Sequence, residues 1–170
     1  MANDRIQPLL DPSYVDAIAN RSTDELRAMK TECAEIETSV SYYRRLAQGR
    51  IEILDAELDR RSRGGSVEDL ISHLPDILAG EGGRSSSTQS RIAEPEAPVV
   101  ELEWSDGRER LITDTTLANL PLLDDAGVSS VREELREFER DLSDVRRELH
   151  GVIDQVEHEI AQRQAAGASG

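Results

Sequence analysis

Cysteine occurs once in this chain, at Cys33, so no disulfide can form within it. Cys33 falls on an apolar helical line and reads as a small core side chain. Aromatic residues make up 3% and hydrophobic residues 37% of the sequence. That is too little for a thick layered core. It is enough for an extended helix pair, in which each helix needs a single apolar seam. No run is long and apolar enough to span a bilayer, and the N-terminus lacks the basic-then-apolar pattern of a secretory signal, so the expected location is the cytoplasm. Lysine is nearly absent, with Lys30 alone, and the other basic residues are arginines.

The usual marks of an enzyme are missing as well. There is no phosphate-cradling glycine loop, and His73, His150 and His158 lack metal-ligand spacing. Ser41 and Ser143 have no evident base to activate them, so neither a catalytic role nor a cofactor is expected. What the chain has in excess is acid, with a net charge of −15. This argues against a nucleic-acid duplex as partner, because a phosphate backbone would repel it. It suits a basic partner such as the DNA-binding face of another protein, although solubility alone would also account for it.

The spacing predicts an all-α protein: an antiparallel, coiled-coil-like pair of two long helices with short accessory helices and a disordered linker. Asp11-Pro12 looks like a helix start, opening a short helix to about Ala19 within an N-terminal segment 1–20. Ser22 and Glu25 form a capping box for a first long helix over 22–63. Its apolar line is Leu26, Met29, Cys33, Ile36, Val40, Tyr43, Ala47, Ile51, Leu54 and Leu58. Residues 64–129 read as accessory elements. They comprise short amphipathic pieces around Val67–Leu78, a disordered stretch at about 80–98, a short extended piece at Val99–Trp104 and a small helix within Thr113–Leu123. Ser130 and Glu133 make a second capping box, opening a second long helix over 130–164, before a frayed tail at 165–170. Its apolar line is Val131, Leu135, Phe138, Leu142, Val145, Leu149, Ile153, Val156 and Ile160.

The two long helices are related to one another. A shift of 102 residues, which lays Glu37 on Glu139, makes ten of the thirty positions from Glu32 to Arg61 identical. Composition alone would give roughly two or three. Matches of glutamate and arginine are weak in charge-rich helices, but Ser41/Ser143 and Gly49/Gly151 weigh more. Each glycine costs a helix about 1 kcal/mol relative to alanine, which suggests that something approaches the backbone there. The shared polar residues form a stripe: Glu37, Ser41, Arg44, Gln48 and Glu52 in one helix, Glu139, Ser143, Arg146, His150 and Asp154 in the other. Their spacing keeps each set within an arc of roughly 80° over about 22 Å, on the same flank of its seam. An antiparallel pairing would bring both stripes to one side as a composite site with approximate two-fold symmetry, suited to a large symmetric ligand or to two ligands side by side.

Arginine's planar fork matches phosphate and the O6/N7 edge of guanine, and carboxylates accept from guanine's N1 and N2 donors. A stripe with both residue types is therefore suited to guanine nucleotides. Taken singly, each residue is better read as half of a surface ion pair of little energetic weight. The pattern Glu-x3-Ser-x2-Arg-x3-Gln-x3-Asp, once on each of two helices, resembles the RsiG family of actinobacterial anti-sigma factors that bind cyclic di-GMP. Eight of the ten positions match, the departures being Glu52 and His150. The resemblance implies cyclic di-GMP bound across the two stripes and a loaded protein that sequesters a flagellar/sporulation-type sigma factor (WhiG-like) from RNA polymerase and promoter DNA. The neighbouring Arg45 and Arg147 either reach phosphate as well or form ordinary surface pairs. The alternative is a coiled-coil adaptor or scaffold with no nucleotide ligand.

Overall fold

A computed structural model of the chain describes residues 4–16, 18–66, 71, 100–102, 104 and 106–167. Every regular element among them is helical, as the seams predict. Helices α1 (Gln7–Leu10) and α2 (Pro12–Asp16) and a 3-10 turn at Ile18–Asn20 lead into the long α3 (Thr23–Arg63). A 3-10 segment at Arg108–Ile112, α4 (Asp114–Ala118) and a 3-10 turn at Leu120–Leu122 lead into the long α5 (Asp125–Gly167). The expected pieces at Val67–Leu78 and the linker at 80–98 lie outside the described residues, apart from Ile71.

The starts of α2 and α3 follow from capping chemistry. Asp11 accepts the Ser13 N–H at 2.8 Å, and α2 closes at Asp16, short of Ala19. At α3 the Ser22 Oγ accepts the Glu25 N–H at 3.2 Å while the Glu25 carboxylate accepts the Ser22 N–H at 2.6 Å, both halves of the capping box. The start of α5 differs from expectation. Asp124 accepts the Gly127 N–H at 2.8 Å and is the true cap, so Ser130 and Glu133 already lie inside the helix. Nothing between Asp125 and Ser130 breaks a helix, and the Ser-x-x-Glu spacing arises there without capping anything. The far end of α5 likewise runs on to Gly167, beyond the expected 164.

The seams also differ in detail. Leu26, Cys33, Val40, Ala47 and Leu54 of α3, and Val128, Leu135, Leu142, Leu149 and Val156 of α5, are at most 1% exposed and recur every seven residues. A strict heptad is the period of a supercoiled pair, not of a straight helix. It carries burial onto Arg50 and Glu57 of α3 and Val152 of α5. Ile51, Leu58, Ile153 and Ile160, which an apolar reading prefers, sit half-buried beside the seam.

The chain divides into two compact units, and each long helix contributes to both. The first contains Met1–Tyr42, Ala97–Gly107 and Asp141–Gly170, and the second Tyr43–Glu96 and Arg108–Arg140. Within the first, Lys30 meets Glu157 at 2.7 Å and Glu37 meets Arg146 at 2.8 Å, so α3 and α5 run antiparallel. Leu102 and Trp104 join its core from the segment expected to be extended. Within the second, Arg44 meets Glu139 at 3.3 Å and Asp55 meets Arg132 at 2.8 Å, again antiparallel. There the Arg108 guanidinium lies over the Phe138 ring, 5.8 Å from its centroid.

Candidate functional site

In the first unit the leading stripe residue of α3, Glu37, meets the third and fourth of α5. A single oxygen of Glu37 accepts from Ser41 Oγ at 2.8 Å and from Arg146 Nε at 2.8 Å, with His150 Nε2 at 3.2 Å. Burial pushes the Glu37 carboxyl up, but these hydrogen bonds and the Arg146 charge outweigh it and hold the group below the usual carboxylate range. Ser143 is half-buried, and Asp154 lines a separate groove against Val15, Asp16, Ile18 and Ala19.

The second unit repeats the arrangement with the helices exchanged. Glu139 of α5 accepts from Arg44 Nη1 at 3.3 Å and from Gln48 Nε2 at 2.9 Å. Gln48, Glu52 and Glu139 line a shallow cleft of 330 Å³ floored by Ile51. Each of Arg44 and Arg146 is thus paired with the leading glutamate of the other stripe.

Of the two adjoining arginines, Arg147 is paired with Asp144 on its own helix, an exposed contact of the ordinary surface kind, and Arg45 is exposed. The glycines give a clearer result. A methyl group at Gly151 would meet no neighbouring segment within 4 Å, so packing within the protein does not require glycine there. The bare backbone is open to something from outside.

Sequence reasoning missed a second layer of the repeat. Arg61 donates to the carbonyls of Leu123 at 2.7 Å and Leu120 at 3.1 Å in the turn ahead of α5, while its Nε engages Glu57. Arg163 does the same ahead of α3: it donates to the carbonyls of Ile18 at 3.2 Å, Ala19 at 3.1 Å and Arg21, and its Nε engages Glu159 at 2.7 Å. The shift of 102 residues that relates the stripes also relates Ile18 to Leu120, Arg21 to Leu123, the caps Ser22 and Asp124, and the ion pairs Lys30–Glu157 and Arg132–Asp55. It lays α2 on α4 over their full lengths. The repeat is thus a module of short helix, 3-10 turn, cap and long helix. Its signal was present in the identical Glu57/Glu159 and Arg61/Arg163 pairs, which look like chance in a charge-rich helix.

A model of the RsiG-like family matches residues 12–78 and 114–170. The chain belongs to the RsiG-like family. Membership makes it one of a family of anti-sigma regulators. The two matched segments begin in the same 102-residue register, at the first residues of α2 and α4, so the family pattern follows the whole module and not the stripes alone. No curated protein matches the chain. Among the described residues no helix is long and apolar enough to cross a membrane.

Proposed function

We propose that the chain is an anti-sigma factor that binds cyclic di-GMP through its two Glu–Arg clusters and, once loaded, sequesters a sigma factor of the flagellar/sporulation type (WhiG-like) from RNA polymerase and promoter DNA. The reading is carried by one observation. In each unit the leading glutamate of one stripe faces the arginine and the fourth residue of the other: Glu37 with Arg146 and His150, Glu139 with Arg44 and Gln48. Chance surface pairs have no reason to recur in the same register.

The chemistry of the clusters is suited to this ligand. Arginine forks take phosphate oxygens or the O6/N7 edge of guanine, and glutamates accept from guanine N1 and N2. Ser41, Ser143, Glu52 and Asp154 supply further acceptors and donors along the stripes. In the free protein each arginine is held by a glutamate. Binding therefore exchanges protein ion pairs for ligand contacts, so the guanidinium groups are held in place near the ligand before it arrives. Gly151 leaves the backbone accessible beside His150.

The adaptor reading keeps one specific support: the Glu–Arg pairs already form without any ligand. Two measurements separate the readings. Calorimetric titration of the purified chain with cyclic di-GMP should give saturable heat, whereas silence at tens of micromolar ends the nucleotide reading. Pull-down of a WhiG-type sigma factor should strengthen on adding the nucleotide. Capture of the sigma factor without any response to nucleotide would leave an anti-sigma factor that ignores it.

A further inference from the structure

The groove beside Asp154 belongs to neither cluster. It lies within the first unit between the α2 end of the chain and α5, and has a volume of 460 Å³. One wall is apolar, from Val15, Ile18 and Ala19, with Ile18 itself buried. The other side carries Asp154, Gln155 and His158. Two of the groove's polar side chains are already engaged: His158 with Gln162 at 2.8 Å and Glu159 with Arg163. Asp16 and Asp154, one from each side, are exposed and engage no other described residue.

The duplicated architecture provides an internal control. In the second unit the positions of Val15, Asp16 and Ala19 are held by Leu117, Ala118 and Pro121, and those of Asp154 and His158 by Glu52 and Ala56. The same module is built there with two carboxylates, Glu52 and Glu57, instead of three, and with apolar residues in place of Asp16 and His158. The acidic rim over an apolar wall is therefore a property of the first unit's own sequence, not a by-product of the fold.

We infer that this groove is a docking site for an arginine side chain presented by a helix of a protein partner. The aliphatic stem of arginine packs on apolar surface while its fork stays polar, and two carboxylates on opposite sides suit a planar group with five donors. A net charge of −15 draws such a partner in. Lysine would present a single, strongly hydrated point charge and match the two acceptors less well. The assignment shares Asp154 with the nucleotide reading and rests on the expectation that an anti-sigma regulator has a protein partner; Asp16 and Ala19, which the nucleotide reading does not use, separate the two.

The test is a nuclear magnetic resonance titration of the full chain, without nucleotide, with a synthetic amphipathic helical peptide whose polar face carries two arginines. Saturable shifts should centre on Val15, Ile18, Ala19 and Gln155, and the same peptide with citrulline for arginine should bind at least tenfold more weakly. Asp16→Asn should weaken binding about tenfold with the unfolding midpoint unchanged, and Ala19→Trp, which fills the groove, should abolish it. Shifts spread over the acidic surface without saturation, equal binding of the citrulline peptide, or an Asp16→Asn variant that binds like the wild type would each overturn the inference.

Discussion

The two units follow one plan and differ in how tightly they hold their acids. In the first, Glu37 is gripped by three donors, but the far clamp is light: among the described residues Glu159 meets Arg163 alone and keeps 24% of its side chain exposed. In the second, Glu139 takes Arg44 and Gln48, and Glu57 lies under both Arg60 and Arg61 with 6% exposed. Arg50 and Glu57, charged residues on the heptad seam, are buried on the second unit's side, where the first has Val152 and Glu159. The comparison places the more tightly ionic clamp in the second unit, at Glu57, and the lighter one in the first, at Glu159.

The sharpest way to break that comparison is acid. The Arg60 hydrogen bond, with Arg61 behind it, outweighs burial and holds the Glu57 pKa at about 2, against an ordinary 4.5. A depressed carboxylate stabilises the fold fully above its unfolded pKa. The contribution fades as pH falls from about 4.5 towards 2. Glu57→Gln should therefore cost roughly 3 kcal/mol at neutral pH by denaturant unfolding, with that difference vanishing near pH 2. Glu159→Gln should cost about 1 kcal/mol or less, because its pair is more exposed. Equal losses would erase the distinction between the clamps.

The next largest effect concerns the clusters. Arg44→Ala and Arg146→Ala should each weaken cyclic di-GMP binding roughly tenfold to a hundredfold, the range for losing charge-assisted hydrogen bonds. Calorimetry that finds one arginine essential and the other inert would show that the two clusters are not equivalents. Gly151→Ala sharpens the same point from the backbone. It should stabilise α5 by about 1 kcal/mol, since nothing within the protein obstructs the added methyl, and at the same time lower nucleotide or sigma affinity. A stabilised variant with unchanged affinities would show that no close approach takes place there. The smallest effect belongs to the matched ion pairs: Lys30→Ala should change stability by about 0.5 kcal/mol or less. Arg132→Ala, whose partner Asp55 also takes Arg136, should cost slightly more.

Much of the architecture was legible in the residues. Steps of three and four marked both long helices, Ser22 and Glu25 marked where α3 begins, and the repeated stripes picked out the residues that meet in the clusters. Four features escaped for physical reasons. The start of α5 was obscured because Ser130 and Glu133 reproduce a capping spacing inside a helix already capped by Asp124. The seam drifted towards Ile51 and Leu58 because apolar character was followed, whereas a supercoiled pair keeps a seven-residue period and buries Arg50 along its aliphatic stem and Glu57 under Arg60 and Arg61. The clamps of Arg61 and Arg163 on backbone carbonyls leave no pattern except an identity across the repeat, and extending the 102-residue register upstream to α2 and α4 would have revealed them. The exchange of partners between stripes depends on side-chain direction, which spacing along one helix cannot supply.

The most direct check on the central claim is calorimetric titration of four proteins with cyclic di-GMP: wild type, Arg44→Ala, Arg146→Ala and the double variant. Two matching clusters predict saturable binding in the wild type, comparable weakening in both single variants and no detectable heat in the double. Binding that survives intact in the double variant would contradict the account.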